Sequence, residues 1–352
     1  MGRIKMKILA CTGEKVNWCA SQVAIAEFRK MGHTVTTCGP YDTADIPLLP
    51  RKSFPETYTY DEILGKAGRD FDLILQLEPG FWFKGNCPNG IKSACWVFDI
   101  HRGGRPFRDL IFDGHFDFVF LSFKYYNCHF QIRGMSPIWL PCGYENDRIY
   151  DMDVKPECDI AFVGEPGINK KYIYHDRVDK DGFRFMSKFP DDLNSKSDKF
   201  MSEYEYQERG ELLYRLSKDF DVRIYKGNHF GKDYAKIIQK GRITFNRTGH
   251  YDTSFHNFEL AACNRLLITN YVPTLEELFP LHSVYYYNHY YTHKLPHLFD
   301  LDYEQIKALV YHSLHHEEET KFKAKMVYDY TVSNHTIKHR LEKMINIIKK
   351  GK

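Results

Sequence analysis

Short, nearly continuous apolar runs alternate with amphipathic stretches along most of the chain. Lys7–Cys11 is apolar after its first residue and is followed by Thr12-Gly13-Glu14, an amphipathic stretch over about 21–31, and Gly32. Strand, glycine turn, helix and glycine stop are the opening of a βαβ unit. Further short apolar runs fall at 33–38, 72–77, 92–98, 116–121 and 136–140. Several are apolar at almost every position rather than at every second one. Strands buried on both faces have that pattern, which predicts a parallel sheet covered by helices. Residues 1–143 therefore read as one doubly wound α/β domain.

The pattern breaks at Pro141-Cys142-Gly143-Tyr144 and resumes after Pro156, and the polar segment between them reads as a connector. A second α/β series, over 157–330, opens with a strand at 159–163 that ends at Gly164. Residues 170–208 are charged and weakly periodic, which predicts an insertion or mobile loop with room for a short helix. Helix 211–218, strand 222–225, helix 233–239, strand 242–246, helix 257–263, strand 266–269 and a last strand at 284–287 follow, and helical stretches at about 302–316 and 320–350 close the chain. The predicted architecture is two Rossmann-like, doubly wound α/β domains facing each other across a cleft.

Composition narrows the function. The 352 residues carry 27% charged and 43% hydrophobic side chains, which excludes intrinsic disorder. A net charge of +3 is too even for a surface that grips nucleic acid everywhere, although the Lys-rich insertion leaves room for a local patch. The 16% aromatic content suits thick cores and sugar- or base-facing platforms, and Trp82, between Phe81 and Phe83, is a platform candidate set against a buried anchor. Nine cysteines without a Cys-x-x-Cys pair indicate reduced thiols rather than disulfides or zinc, hence a cytoplasmic expectation. The apolar run near the N-terminus is too short for a signal peptide, and no run is long enough to cross a membrane. Gly-x-Gly-x-x-Gly, the P-loop, Gly-x-Ser-x-Gly and His-Glu-x-x-His are all absent, which argues against dinucleotide dehydrogenases, P-loop ATPases, α/β-hydrolases and zincins.

The informative stretch is 225–270. A strand ends at Asn246, and a Gly/Asp/Thr/Ser loop then runs into a helix at about Ser254. Free backbone N–H groups and the positive end of the helix dipole there suit a diphosphate. Glu259 lies about one turn further on, where a carboxylate can accept both hydroxyls of a ribose; a plain first-turn carboxylate favoured by the dipole is the other reading.

The residues Val163-Gly164, Arg209 with Leu212-Leu213, Tyr225-Lys226-Gly227, Ile243-Thr244-Phe245-Asn246, Phe258-Glu259 with Ala261-Ala262-Cys263, Leu267-Ile268-Thr269, and His335-Thr336 with Arg340 together resemble the group-1-like glycosyltransferases of the spore-maturation type. The resemblance covers about 159–345. The N-terminal half matches mainly in layout, through Trp96-Val97-Phe98-Asp99 and Trp139-Leu140-Pro141-Cys142-Gly143. Two departures stand out: His256 occupies a position that is usually Arg, and Asn264-Arg265 follows Cys263 where Gly is usual. The retaining pattern Glu-x7-Glu is incomplete, since Tyr251 lies eight residues before Glu259, with Asp252 beside it.

The resemblance implies the GT-B fold, residues 331–352 returning to the first domain, and transfer of a hexosyl or pentosyl group from a UDP- or GDP-type sugar with retention. The donor-binding candidates are Gly13, Arg209, Lys226, Asn246, Arg247, Asp252, Ser254, Phe255, His256 and Glu259. Asp99 and His101, at the edge of the first domain, are the catalytic candidates, with a loop cap or an ion pair as their alternative role. No Asp-x-Asp is placed for a metal, and His335 and His339 have helical metal spacing but lack a third ligand, so no metal or other cofactor is expected. The acceptor is open among polysaccharide, protein and modified DNA bases. A nucleotide-sugar epimerase and a non-catalytic nucleotide-sugar or nucleic-acid binder are the competing classes.

Overall fold

The computed structural model describes residues 5–13, 20–50, 56–77, 81–98, 104–124, 127–170, 173, 176–189, 204–227, 229–248, 253–287 and 296–351. The chain divides into two compact units, Met1–Gly143 together with Ile337–Lys352, and Tyr144–Thr336.

In the first unit the elements run β1 (Lys7–Cys11), α1 (Ala20–Lys30), β2 (Thr34–Gly39), β3 (Ile46–Pro47), β4 (Glu56–Thr59), α2 (Tyr60–Ala67), β5 (Leu73–Leu77), β6 (Phe81–Lys84), β7 (Lys92–Val97), α3 (Gly104–Asp113), β8 (Phe118–Leu121), α4 (Asn127–Gln131) and β9 (Ile138–Trp139). Seven strands form one sheet in the order β3-β2-β1-β5-β7-β8-β9, and each neighbouring pair is parallel. All of β5 is buried, as are all but the first residues of β1 and β7, which is why those runs are apolar without alternation. Leu9, Ile74, Cys95, Val119 and Leu121 of this sheet share a core with Tyr60, Phe83 and Phe130.

Two elements of this unit carry no periodic signal strong enough to predict them. β4 and β6 form a separate parallel pair, and α2 follows β4 directly through a capping box. Glu62 Oε2 accepts from Thr59 N–H at 2.7 Å, and Thr59 Oγ1 accepts from Glu62 N–H at 3.2 Å. Trp82, in β6, is fully buried and therefore anchors the core instead of forming a platform.

The second unit comprises β10 (Cys158–Val163), β11 (Arg177–Val178), β12 (Arg184–Phe185), α5 (Tyr204–Asp219), β13 (Val222–Tyr225), α6 (Lys232–Ile238), β14 (Gly241–Asn246), α7 (Phe255–Ala261), β15 (Leu266–Asn270), α8 (Pro273–Glu276), β16 (Tyr285–Tyr287), α9 (Pro296–His315) and α10 (Glu317–Asn334). Its five-stranded parallel sheet has the order β13-β10-β14-β15-β16. Ile160, Ile243, Phe245, Leu266 and Ile268 from the strands meet Leu212, Leu213 and Leu216 of α5 and Ile306 and Val310 of α9 in one core.

The structure corrects two expectations here. The described part of 170–208 is not simply a loop. β11 and β12 form an antiparallel hairpin, and the next residue, Met186, bridges to Ile224 of β13. Phe185, Met186 and Phe189 are buried. The charges of this segment, which suggested a solvated loop, are partly internal: fully buried Lys240 lies 2.8 Å from Asp179 and 2.5 Å from Asp181. The helix expected at 211–218 also starts earlier, inside the supposed insertion, at Tyr204.

The last helical stretch is likewise two helices, α10 and α11 (Ile337–Lys350), broken at His335 and Thr336. Thr336 forms a parallel bridge with Tyr144, and the Tyr144 N–H donates to His335 O at 3.2 Å. That pairing takes the backbone out of the helical conformation. α11 then packs on α1 within the first unit, and Arg340 Nε donates to Cys142 O at 2.9 Å.

Candidate functional site

In the second sheet the strand order reverses between β10 and β14. In an open parallel sheet the crevice beyond the carboxyl ends of the strands at such a reversal is where a ligand fits. The register puts Tyr225, Val163 and Asn246 in neighbouring positions at that edge, with Thr269 and Tyr286 continuing the row. Gly164, Lys226, Arg247 and Asn270 follow immediately, and the first turn of α7 opens at the same edge because it follows β14. A small pocket there is lined by Phe162, Val163, Arg209, Asn246, His256 and Leu260, among others.

Glycine is structural in the loop after β10. Gly167 has φ +78°, and a β-carbon on it would lie 1.6 Å from the Tyr206 carbonyl oxygen, so only glycine lets this loop lie against α5. Gly164, at φ +134°, lies under the His256 ring: a β-carbon there would sit 3.6 Å from Nε2.

Arg209 joins the two central loops. Its Nη1 donates to Glu165 O at 3.0 Å and its Nη2 to Arg247 O at 2.8 Å. Arg247 is paired with Glu208, both side chains being only 4% exposed. Its guanidinium is thus engaged inside the protein and organises the loop after β14. Asn270, at the end of β15, holds the next residue: its Oδ1 accepts from Thr248 N at 2.7 Å and from Thr248 Oγ1 at 3.1 Å, and its Nδ2 donates to Thr248 O at 3.2 Å. Asn270→Ala should strand these buried groups and lower unfolding stability by about 1–3 kcal/mol. A urea titration with an unchanged midpoint would show that the clamp is dispensable.

Ser254 caps α7, its N–H and hydroxyl both donating to Asn257 Oδ1 at 3.1 Å. Asn257 is fully buried and Asn246 only 4% exposed, and the Nδ2 of each meets no hydrogen-bond partner among the described residues. His256 Nδ1 lies 3.0 Å from Tyr234 Oη and 3.6 Å from Glu259 Oε2. Packing, and then the Arg209 charge, hold the imidazole below the usual histidine range, while 41% of the side chain stays exposed. Burial, with the Glu145 charge second, pushes the Glu259 carboxyl up to about 7. Tyr234 keeps its proton, because burial drives its pKa well up.

Of the sequence candidates, Arg209, Lys226, Asn246, Arg247, Ser254, Phe255, His256 and Glu259 fall at or next to this strand edge or on α7. Gly13 lies two residues after β1, in the other unit. Asp99, His101 and Asp252 lie outside the described residues. Four members were not among the sequence candidates: Glu208, Tyr234, Asn257 and Asn270. Glu208 had one signal, its place beside Arg209. Asn257 had another, the Ser-x-x-Asn spacing that mimics a capping box.

Other candidates have structural surroundings. His335 is 4% exposed, packs against Phe258, Phe279 and Tyr330, and shares a 2.5 Å hydrogen bond with Leu278 O. Among the described residues no three His, Cys, Asp or Glu side chains are grouped to hold a metal ion, and no helix is long and apolar enough to cross a membrane.

Comparison with known proteins places this geometry. Residues 200–346 match the sequence model of a family described as "Glycosyl transferase-like". No curated protein sequence matches the chain. Among solved structures, Anabaena HepE in complex with UDP and glucose superposes with a TM-score of 0.60 at 10% identity, covering 98% of this chain and 99% of that one. Sucrose-phosphate synthase from Thermosynechococcus elongatus gives 0.58 at 10% identity, covering 98% and 99%. A glycosyltransferase from Rickettsia africae gives 0.57 at 12%, covering 98% of each. Two Rossmann-like units in this chain, matched over nearly their full length by these structures, together with the glycosyl transferase-like segment at 200–346, make this chain a protein of the GT-B glycosyltransferase fold.

Proposed function

We propose that this protein transfers a sugar from a UDP-type nucleotide sugar to an acceptor hydroxyl, and that the donor binds at the carboxyl edge of the second sheet. The observation that carries this reading is the meeting of Gly164, Asn246 and the first turn of α7 at the strand-order reversal, with Glu259 one turn along. Ribose hydroxyls donate to Glu259, and the diphosphate lies toward Gly164, Asn246 and His256. HepE, whose structures hold UDP-glucose or UDP, supports a uridine donor by analogy of fold.

The reaction leaves growing negative charge on the departing diphosphate, which oriented N–H groups and cations in a water-poor pocket stabilise. Lys226 and Arg209 supply positive charge at this edge. Asp99 and His101, from the first unit, are assigned to the acceptor side, where a carboxylate or imidazole takes the acceptor proton. Retention of the anomeric configuration and assignment to the spore-maturation type follow the sequence resemblance.

The test is a thermal-shift and calorimetric series with UDP, GDP, CMP and dTDP sugars. A ligand at a hundred times its Kd stabilises the fold by about 2.7 kcal/mol, so a bound donor is visible as a rise in Tm. UDP should give the largest rise. A protein that binds none of the four, or that releases a free epimerised nucleotide sugar, would overturn the assignment.

A second expectation concerns divalent metal. With Arg209, Lys226 and helix N–H groups at the strand ends to meet the phosphate charge, UDP binding and donor turnover should persist in EDTA. Complete loss of both, restored by magnesium, would show that the charge is met in another way.

A further inference from the structure

We propose that Tyr234 is a positioning residue that holds His256 as a neutral, single-proton donor, with its Nε2–H directed to an oxygen of the donor's diphosphate. The identity of that ligand rests on the donor-site reading above.

Tyr234, on α6, is 4% exposed, and its hydroxyl has one hydrogen-bond partner among the described residues, His256 Nδ1 at 3.0 Å. If Nδ1 carried a proton, the phenol O–H would be left buried without an acceptor, and such an orphan is disfavoured. The phenol therefore donates and Nδ1 accepts. A neutral imidazole that accepts at one nitrogen carries its proton on the other, so His256 presents Nε2–H. Glu259 Oε2, at 3.6 Å from Nδ1, lies beyond hydrogen-bond reach and does not compete for that nitrogen. The lowered pKa of His256 and the raised pKa of Tyr234 agree with this assignment.

Nε2 faces the pocket. It has no hydrogen-bond partner among the described residues, and it stands over Gly164, where any side chain would begin 3.6 Å away and cover it. Asn246, 4% exposed, lines the same pocket, and its buried amide Nδ2 has no hydrogen-bond partner among the described residues. An unpartnered imidazole N–H beside a bare glycine, with a second unpartnered N–H buried in the pocket wall, asks for a ligand with acceptor oxygens. In the donor-site reading, that ligand is the diphosphate.

The experiment has two readouts. Long-range ¹⁵N–¹H correlation spectra of the ligand-free full-length protein report which His256 nitrogen bears the proton. Nε2–H is expected in the wild type, and Nδ1–H or imidazolium at pH 7 would overturn the proposal. UDP affinity is then measured for Tyr234→Phe in two backgrounds. In the wild-type background the loss of the phenol should free the imidazole to exchange tautomers and weaken UDP roughly three- to tenfold. In the His256→Gln background, where an amide N–H stands in for Nε2–H whatever Tyr234 does, the same change should alter affinity less than twofold. Equal losses in both backgrounds would show that Tyr234 only packs. A wild type with the Nε2–H tautomer but no affinity for any nucleotide would instead overturn the donor-site reading and, with it, the diphosphate as the ligand of Nε2–H.

Discussion

Glu259→Ala is expected to weaken UDP binding at least tenfold in a protein that remains folded. The carboxylate sits on α7, half-buried, one turn from the helix start. Two charge-assisted hydrogen bonds from ribose hydroxyls at about 1.5–3 kcal/mol each comfortably exceed the roughly 1.4 kcal/mol that corresponds to tenfold. Calorimetry on the folded variant checks this, and wild-type affinity would remove Glu259 from the site.

The same side chain sets a pH dependence. Its folded pKa, raised to about 7, lies above the ordinary carboxyl value of 4.5. The folded state therefore binds the proton more tightly than the unfolded state. The stability this group contributes is fully present below about pH 4.5 and is lost as pH rises through 7. Glu259→Gln, which never ionises, should gain on the wild type in Tm between pH 5 and pH 8. Ribose binding runs the opposite way, because it needs the ionised acceptor: wild-type UDP affinity should rise from pH 6 to pH 8, and that rise should vanish in the glutamine variant. A flat wild-type profile would show that the carboxyl is not the acceptor.

Arg247→Leu should cost about 3–5 kcal/mol of stability, because it leaves the Glu208 carboxylate buried without its cation. The effect would be seen as a large drop in the urea midpoint. The double variant Arg247→Leu with Glu208→Leu should recover much of the loss, since the cost comes from an isolated buried charge and not from missing attraction. A single variant that loses less than 1 kcal/mol would mean that Glu208 is solvated or protonated without penalty. Arg209 donates to the Arg247 carbonyl as well, so a destabilised loop here should also weaken UDP. That links the ion pair to the site it underlies.

The strands were legible in the sequence wherever they are buried on both faces. β1, β5, β7, β10, β14 and β15 are short apolar runs bounded by glycine or polar residues, and burial on both sides of a parallel sheet leaves little room for other residue types there. The α7 region was legible for a related reason, since a strand end, a polar loop and a Ser N-cap are local features. From these the carboxyl-edge position of Asn246, Ser254, His256 and Glu259 could be read directly.

Strand order, and with it the reversal between β10 and β14, depends on which helices cover which face, so no local pattern carries it. The same holds for the charged segment before α5. Its Lys and Asp residues looked solvated, yet Asp179 and Asp181 meet Lys240 only because a hairpin folds back onto β13. The break between α10 and α11 arises from the pairing of Thr336 with Tyr144, almost two hundred residues away in sequence. Tyr234, Glu208 and Asn270 are ordinary residues in the sequence. Burial beside His256, Arg247 and Thr248 gives each a role, because a buried polar group must find its partner in three dimensions.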